Sequence, residues 1–134
     1  MKVAGYVRVG PDEQVTDPDG AKQKLKLRDF SNAKEWALEH VYQDIGYSGE
    51  DLNRPGLVRL LSEMRFDVVL VDRATRLVRK KKNDLDFLLS LFDTRNITAI
   101  DVSWSWDYLS QYMRYHYRSK CNPLYKSLDA ETEG

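Results

Sequence analysis

Cysteine is nearly missing: Cys121 is the only one in 134 residues, which excludes an internal disulfide or a thiolate zinc cluster and fits a reducing compartment. Histidine is as scarce, and His40 and His116 are too isolated to form a metal pair, so the sequence offers neither a metal site nor a cofactor. Net charge is absent, with 21 Lys plus Arg against 21 Asp plus Glu, so any affinity for nucleic acid must come from a local patch. No apolar run is long enough to span a membrane and the N-terminus lacks a signal-peptide pattern, so the expected setting is the cytoplasm, without membrane contact. Gly5 and Gly10 make neither a dinucleotide fingerprint nor a Walker loop, since no Gly-Lys-Ser/Thr follows and Gly5 falls within a strand. A receiver-type phosphoacceptor would need clustered acids at the strand ends, where this chain puts Arg8 and Arg73. A nucleotide or other small-anion binder remains open as a competing class.

What is present is an ordered patch. Val68-Val69-Leu70-Val71, opened by Asp67, reads as a short strand buried on both faces, of the kind found inside a parallel sheet. Asp72, Arg73, Arg76 and Arg79 follow at helical spacing, with Lys80, Lys81 and Lys82 behind, so six cations face one carboxylate over residues 71–82. A basic run by itself reads as a solvated helix start. Here a buried strand delivers it to the sheet edge where open α/β folds bind ligands, which suits a phosphate gripped by guanidinium forks.

The rest of the chain alternates. Lys2 to Val9 reads as a first strand, and residues 10–20, with two prolines, two glycines and four acids, as a loop. Residues 21–39 carry Leu25, Leu27, Phe30, Ala33, Trp36 and Ala37 at roughly helical spacing. His40 to Asp44 reads as a short strand, Ile45 to Asn53 as a mobile turn, and Arg54-Pro55-Gly56-Leu57 opens a helix running to about Met64. Another helix is expected from about Asn83 to Thr94, burying Leu85, Leu88, Leu89 and Phe92, and a strand over Ile97 to Val102. Alternation of this kind predicts an α/β fold, with a mainly parallel sheet of four to five strands and helices on both faces. Trp104, Trp106, Tyr108, Leu109, Tyr112, Met113, Tyr115 and Tyr117 then predict an aromatic C-terminal helix, packed on its own sheet or forming a homodimeric or higher contact. One domain over 1–120 is expected, followed by a flexible tail over 121–134.

Four motifs in order carry a resemblance: Tyr6-x-Arg8-Val9-Gly10-x-x-x-Gln14, Asp44-x-Gly46-Tyr47-Ser48-Gly49, Asn53-Arg54-Pro55-Gly56-Leu57 and Asp72-Arg73-x-x-Arg76. Together they resemble the catalytic domain of the serine site-specific recombinases, the resolvase and invertase group found in mobile elements and phage. In that family a serine ending the first strand attacks a DNA phosphodiester without a metal, becoming joined to the 5′ phosphate, while arginines neutralise the pentavalent phosphorus. The resemblance implies Arg8, Arg73 and Arg76 as phosphate-binding arginines, with Arg54 contributing. It gives Asp72 a role in orienting an arginine or in proton transfer, and Tyr6, Gln14, Gln23 and Asp44 supporting places.

Gly10 stands where the family has its nucleophile, and a glycine has no hydroxyl to attack with. Thr16, the nearest hydroxyl, is six residues on in an acidic loop. The expectation is a recombinase-type domain linked to DNA recombination that does not cleave as written; whether it is an enzyme stays open. The chain also stops soon after the last strand, without a helix-turn-helix or zinc module, so only weak, non-specific duplex binding is expected. The alternative is a non-catalytic oligomerisation or regulatory module that pairs with an active recombinase.

Overall fold

The computed structural model describes residues 1–79 and 81–103. The expected aromatic helix and the tail lie outside the described residues. Along the chain run β1 (Val3–Val9), α1 (Ala21–Ala33), β2 (Leu38–Ile45), α2 (Pro55–Glu63), β3 (Val68–Val71), α3 (Lys82–Thr94) and β4 (Thr98–Asp101), with short 3-10 turns at Pro11–Glu13 and Ala74–Arg76.

β1 and β3 have no exposed residue because each lies between two neighbours and under two layers of helix. The sheet order is β2-β1-β3-β4 and every pairing is parallel. Alternate residues face opposite layers. Val3, Val7, Val9, Val68, Leu70 and Ile100 pack with Leu27 of α1, whereas Ala4, Tyr6, Val69, Val71 and Ala99 pack with Leu57 and Leu60 of α2 and Leu85, Leu88 and Phe92 of α3. The chain therefore leaves β1 in one direction over one face and returns past it over the other. That reversal puts a topological switch point between β1 and β3, and their C-terminal ends open the crevice where such sheets bind ligands.

Two expectations are corrected. The first helix does not reach residue 39 but stops at Ala33, because Glu35 takes a left-handed conformation (φ 57°). The Trp36 amide then donates to the Ser31 carbonyl at 2.9 Å and the Glu35 amide to Asn32 at 3.0 Å, the paired bonds of a Schellman end. β2 accordingly starts at Leu38, two residues earlier than read from the sequence. Leu25 is not on the buried face: it is 58% exposed, and Gln23, Leu27 and Ser31 form the buried stripe of α1. The helix expected from about Asn83 begins at Lys82, and between β3 and α3 the residues at helical spacing from Asp72 to Arg79 form only a single 3-10 turn, Ala74–Arg76.

α2 lies directly on β2. A Cβ on Gly56 would fall 2.4 Å from the Gln43 carbonyl oxygen and 3.0 Å from an Asp44 carboxylate oxygen. Gly56→Ala should therefore destabilise although alanine is the better helix former by about 1 kcal/mol. Overpacking against backbone costs about 1–3 kcal/mol or more, so thermal unfolding should show a Tm lower by about 5–10 °C. An unchanged or higher Tm would contradict the close approach.

Candidate functional site

The site begins where β1 outruns β3. The last β1–β3 pair is Tyr6 with Val71, so Arg8 extends beyond the end of β3. Gln23 of α1 binds its backbone instead: the Arg8 amide donates to Gln23 Oε1 at 3.3 Å, and Gln23 Nε2 donates to the Arg8 carbonyl at 2.9 Å. A polar residue therefore occupies the buried stripe of α1 because it terminates the sheet on that side.

The Arg8 side chain, 4% exposed, is wrapped in carbonyls. Its Nε donates to Arg76 O at 3.1 Å, Nη2 to Thr75 O at 2.8 Å and Nη1 to Tyr47 O at 3.2 Å. Gly49 closes over it, since a Cβ there would stand 3.0 Å from the Arg8 guanidinium carbon. Burial, then repulsion from the Arg54 and Arg76 guanidinium groups, lowers the Arg8 pKa to about 10.

Arg54 is equally buried, at the start of α2. Its Nε donates to Asp51 O at 2.8 Å, Nη1 to Arg76 O at 2.9 Å and to Tyr6 Oη at 3.0 Å, and Nη2 to Leu77 O. The carbonyls of residues 75, 76 and 77 thus accept from guanidinium groups and not from helical amides, which is why residues 72–79 wrap around the arginines.

Beside Arg54, Tyr6 Oη donates to Asp44 Oδ2 at 2.7 Å, and the two Asp44 oxygens accept the Gly56 and Leu57 amides at 2.7 and 3.0 Å. Asp44 on β2 therefore caps α2, whose N-cap residue Arg54 makes no side-chain cap. Burial pushes the Tyr6 phenol far above its usual range; the Arg54 charge opposes this and the bond to Asp44 adds to it, so Tyr6 remains a neutral donor.

Arg76 faces the other way. Its Nη2 lies 3.3 Å from Asp72 Oδ2, while Nη1 donates to Arg8 O at 3.1 Å and to both Glu13 oxygens at 2.8 and 2.7 Å. Its Nε is buried without a hydrogen-bond partner among the described residues. Asp72 also meets Lys26 Nζ at 3.3 Å and Arg73 Nε at 3.8 Å. On the Lys26 side a cleft of about 480 Å³ is lined by Lys26, Asp29, Phe30, Asp72, Val102 and Ser103.

Gly10 closes the ring. Its amide donates to Glu13 Oε1 at 3.1 Å, and a Cβ at this position would stand 3.5 Å from Arg8 Nη1 and 3.4 Å from Glu13 Oε1, ordinary contact distances. Burial raises the Glu13 pKa, but hydrogen bonds from Arg76 and the Gly10 amide outweigh this and leave it lowered.

Of the residues singled out in the sequence, Arg8, Arg54, Arg76, Tyr6, Gln23, Asp44, Asp72 and Gly10 gather at the ends of β1 and β3. Arg73 stands apart with its side chain half exposed, and Gln14 lies exposed across from Gly46. Glu13 and Lys26 were not anticipated. Glu13 had a weak signal, an acid three residues after Gly10 on a proline-led turn; Lys26 had none beyond its place on the helix following the loop. Among the described residues, no group of His, Cys, Asp or Glu is placed to hold a metal ion, and no helix is long and apolar enough to cross a membrane.

The resolvase N-terminal domain family matches residues 3–114. Among curated proteins none is similar to the chain. Of solved structures, the N-terminal catalytic domain of TP901-1 integrase is 31% identical over 77% of this chain and 78% of that one, with a TM-score of 0.66. The C-terminal catalytic domain of ISC1926 TnpA, an IS607-like serine recombinase, is 28% identical over 76% and 67%, with a TM-score of 0.65. A resolvase family site-specific recombinase from Streptococcus pneumoniae, 23% identical over 77% and 72% at a TM-score of 0.66, shares the fold.

Proposed function

The chain belongs to the serine recombinases through its resolvase N-terminal domain, and we propose that within DNA recombination it holds a backbone phosphate at the ends of β1 and β3 without cutting the strand. The observation that carries this is the bare Gly10 backbone beside Arg8 and Glu13 in an otherwise furnished arginine site. Stabilising charge and supplying an attacking atom are separate tasks, done by different residues. Here the residues for the first remain, and the hydroxyl for the second is absent.

A second reading, pairing with an active recombinase as a regulatory module, is favoured by one feature: every guanidinium nitrogen of Arg8 already donates to a carbonyl. In that reading the arginines serve the fold first.

Phosphate contact has a measurable signature, because each phosphate neutralised on duplex DNA releases counterions and adds about 0.9 to the slope of log affinity against log salt. Weak, sequence-tolerant duplex binding that falls steeply with salt is expected. Arg73→Gln, at a half-exposed side chain, should lower the slope by about 0.9 and leave the Tm unchanged. Equal affinity at low and high salt would refute the reading.

A further inference from the structure

We propose that the Glu13 carboxylate is the site's own anion, held on the guanidinium that a DNA phosphate would use, and that phosphate enters by displacing it. This rests on the phosphate-binding reading above and adds a residue that sets how readily the site opens.

Both Glu13 oxygens sit on Arg76 Nη1, at 2.8 and 2.7 Å, and Oε1 also accepts the Gly10 amide at 3.1 Å. A single carboxylate thus occupies the arginine and the backbone of the position facing it. The pair is asymmetric: the Arg76 side chain is 8% exposed and that of Glu13 is 38% exposed. The cation is fixed in the core, by Asp72 behind it, while the anion approaches from the solvent side. Glu13 hangs on a three-residue turn, so it can move away without unravelling a helix or strand. Arg76 Nε has no partner among the described residues, so the carboxylate leaves a buried donor unused. A phosphate presents more oxygens than a carboxylate and suits the planar donor fork of arginine. Phosphate and Glu13 on the same guanidinium would repel each other, which makes the exchange competitive.

The test uses the full chain, a short labelled duplex, and fluorescence anisotropy from about 50 to 200 mM salt. Glu13→Gln keeps the shape and removes the charge; Glu13→Ala removes the whole contact, and both should agree. Each should bind about tenfold more tightly than wild type, the lower range of what a charge-assisted hydrogen bond is worth. The salt slope should steepen by up to about 0.9, because one negative charge fewer stands beside the bound phosphate. Asp12→Asn, an exposed neighbour, should give a smaller gain, and Glu13→Gln combined with Arg76→Gln should give none. Wild-type affinity and slope in both Glu13 variants would overturn the proposal, as would an equal gain in Asp12→Asn or a gain that survives loss of Arg76. If wild type and Arg73→Gln behave as expected while the Glu13 variants are silent, the displaceable anion alone is wrong. If wild type shows no salt-dependent binding at all, the phosphate reading fails and this inference with it.

Discussion

Incubated with a labelled, nicked duplex and run on a denaturing gel, the wild-type protein should give no covalent protein-DNA band, and Gly10→Ser should give one. The variant supplies an Oγ at the end of β1, where the Cβ of residue 10 would stand 3.5 Å from Arg8 Nη1 and 3.4 Å from Glu13 Oε1. Nothing has to move to admit the Cβ that carries it. Gly10 has φ −70° and ψ 165°, an extended conformation open to any residue and the one favoured before a proline. Pro11 therefore presets the backbone a serine would need. In the expected step Oγ forms a bond to phosphorus, the bond from phosphorus to the 3′ oxygen breaks, the proton leaves Oγ and the 3′ oxygen ends as a hydroxyl. Removal of a nucleophile from a pre-organised site has cost about a millionfold in a well-studied protease, so an all-or-none difference between the two proteins is the expected scale. A band from the wild-type protein would show that Gly10 does not disable the site. Absence of a band from Gly10→Ser, in a protein shown to bind the duplex, would instead favour the regulatory reading.

Much of the fold was legible because the strands that organise it are continuous apolar runs. β1 and β3 needed no partner to be recognised, and their alternation with amphipathic segments implied the parallel sheet. The end of α1 was not legible, since Glu35 adopts the left-handed conformation usually marked by glycine or asparagine. Trp36 and Leu38, both read as part of that helix, instead lie beyond its end and pack with Phe30 against the Leu27 side of the core. The course of the segment after β3 was not legible for a different reason. Arginines at helical spacing suggested a helix, but the carbonyls such a helix would use are taken by Arg8 and Arg54, from residues 68 and 22 positions away from Arg76. Local pattern carries no trace of such distant donors.

The composition of the site was legible in its motifs, whereas its wiring was not. The resemblance to the serine recombinases groups Arg8, Arg54 and Arg76 in one site, yet residue types alone cannot separate an arginine waiting for phosphate from one spent on backbone. The structure divides them: Arg8 and Arg54 bind carbonyls, Arg76 binds carboxylates, and Arg73 lies half exposed. Asp44 was read as a supporting group near the pocket; its carboxylate in fact caps α2 from β2, a contact between elements that no local motif encodes.

Arg54 should therefore be a stability residue before it is a binding one. Arg54→Met preserves the apolar stem and removes the donors to Asp51, Tyr6, Arg76 and Leu77. The side chain is 1% exposed, so water cannot readily replace them, and a buried acceptor left without a donor costs about 1–3 kcal/mol. Summed over the acceptors and reduced for relaxation, the loss should be about 3–5 kcal/mol, lowering the Tm by about 10–20 °C. Arg54→Lys should recover little of this, because one ammonium cannot reach acceptors spread along a planar fork. Tyr6→Phe provides the internal scale. It removes a single hydroxyl while Asp44 keeps its two amide donors, so its cost should be only about 1 kcal/mol. If Arg54→Met melts no lower than Tyr6→Phe, the guanidinium does not hold residues 75–77 in place, and Arg54 would be free to meet a phosphate directly.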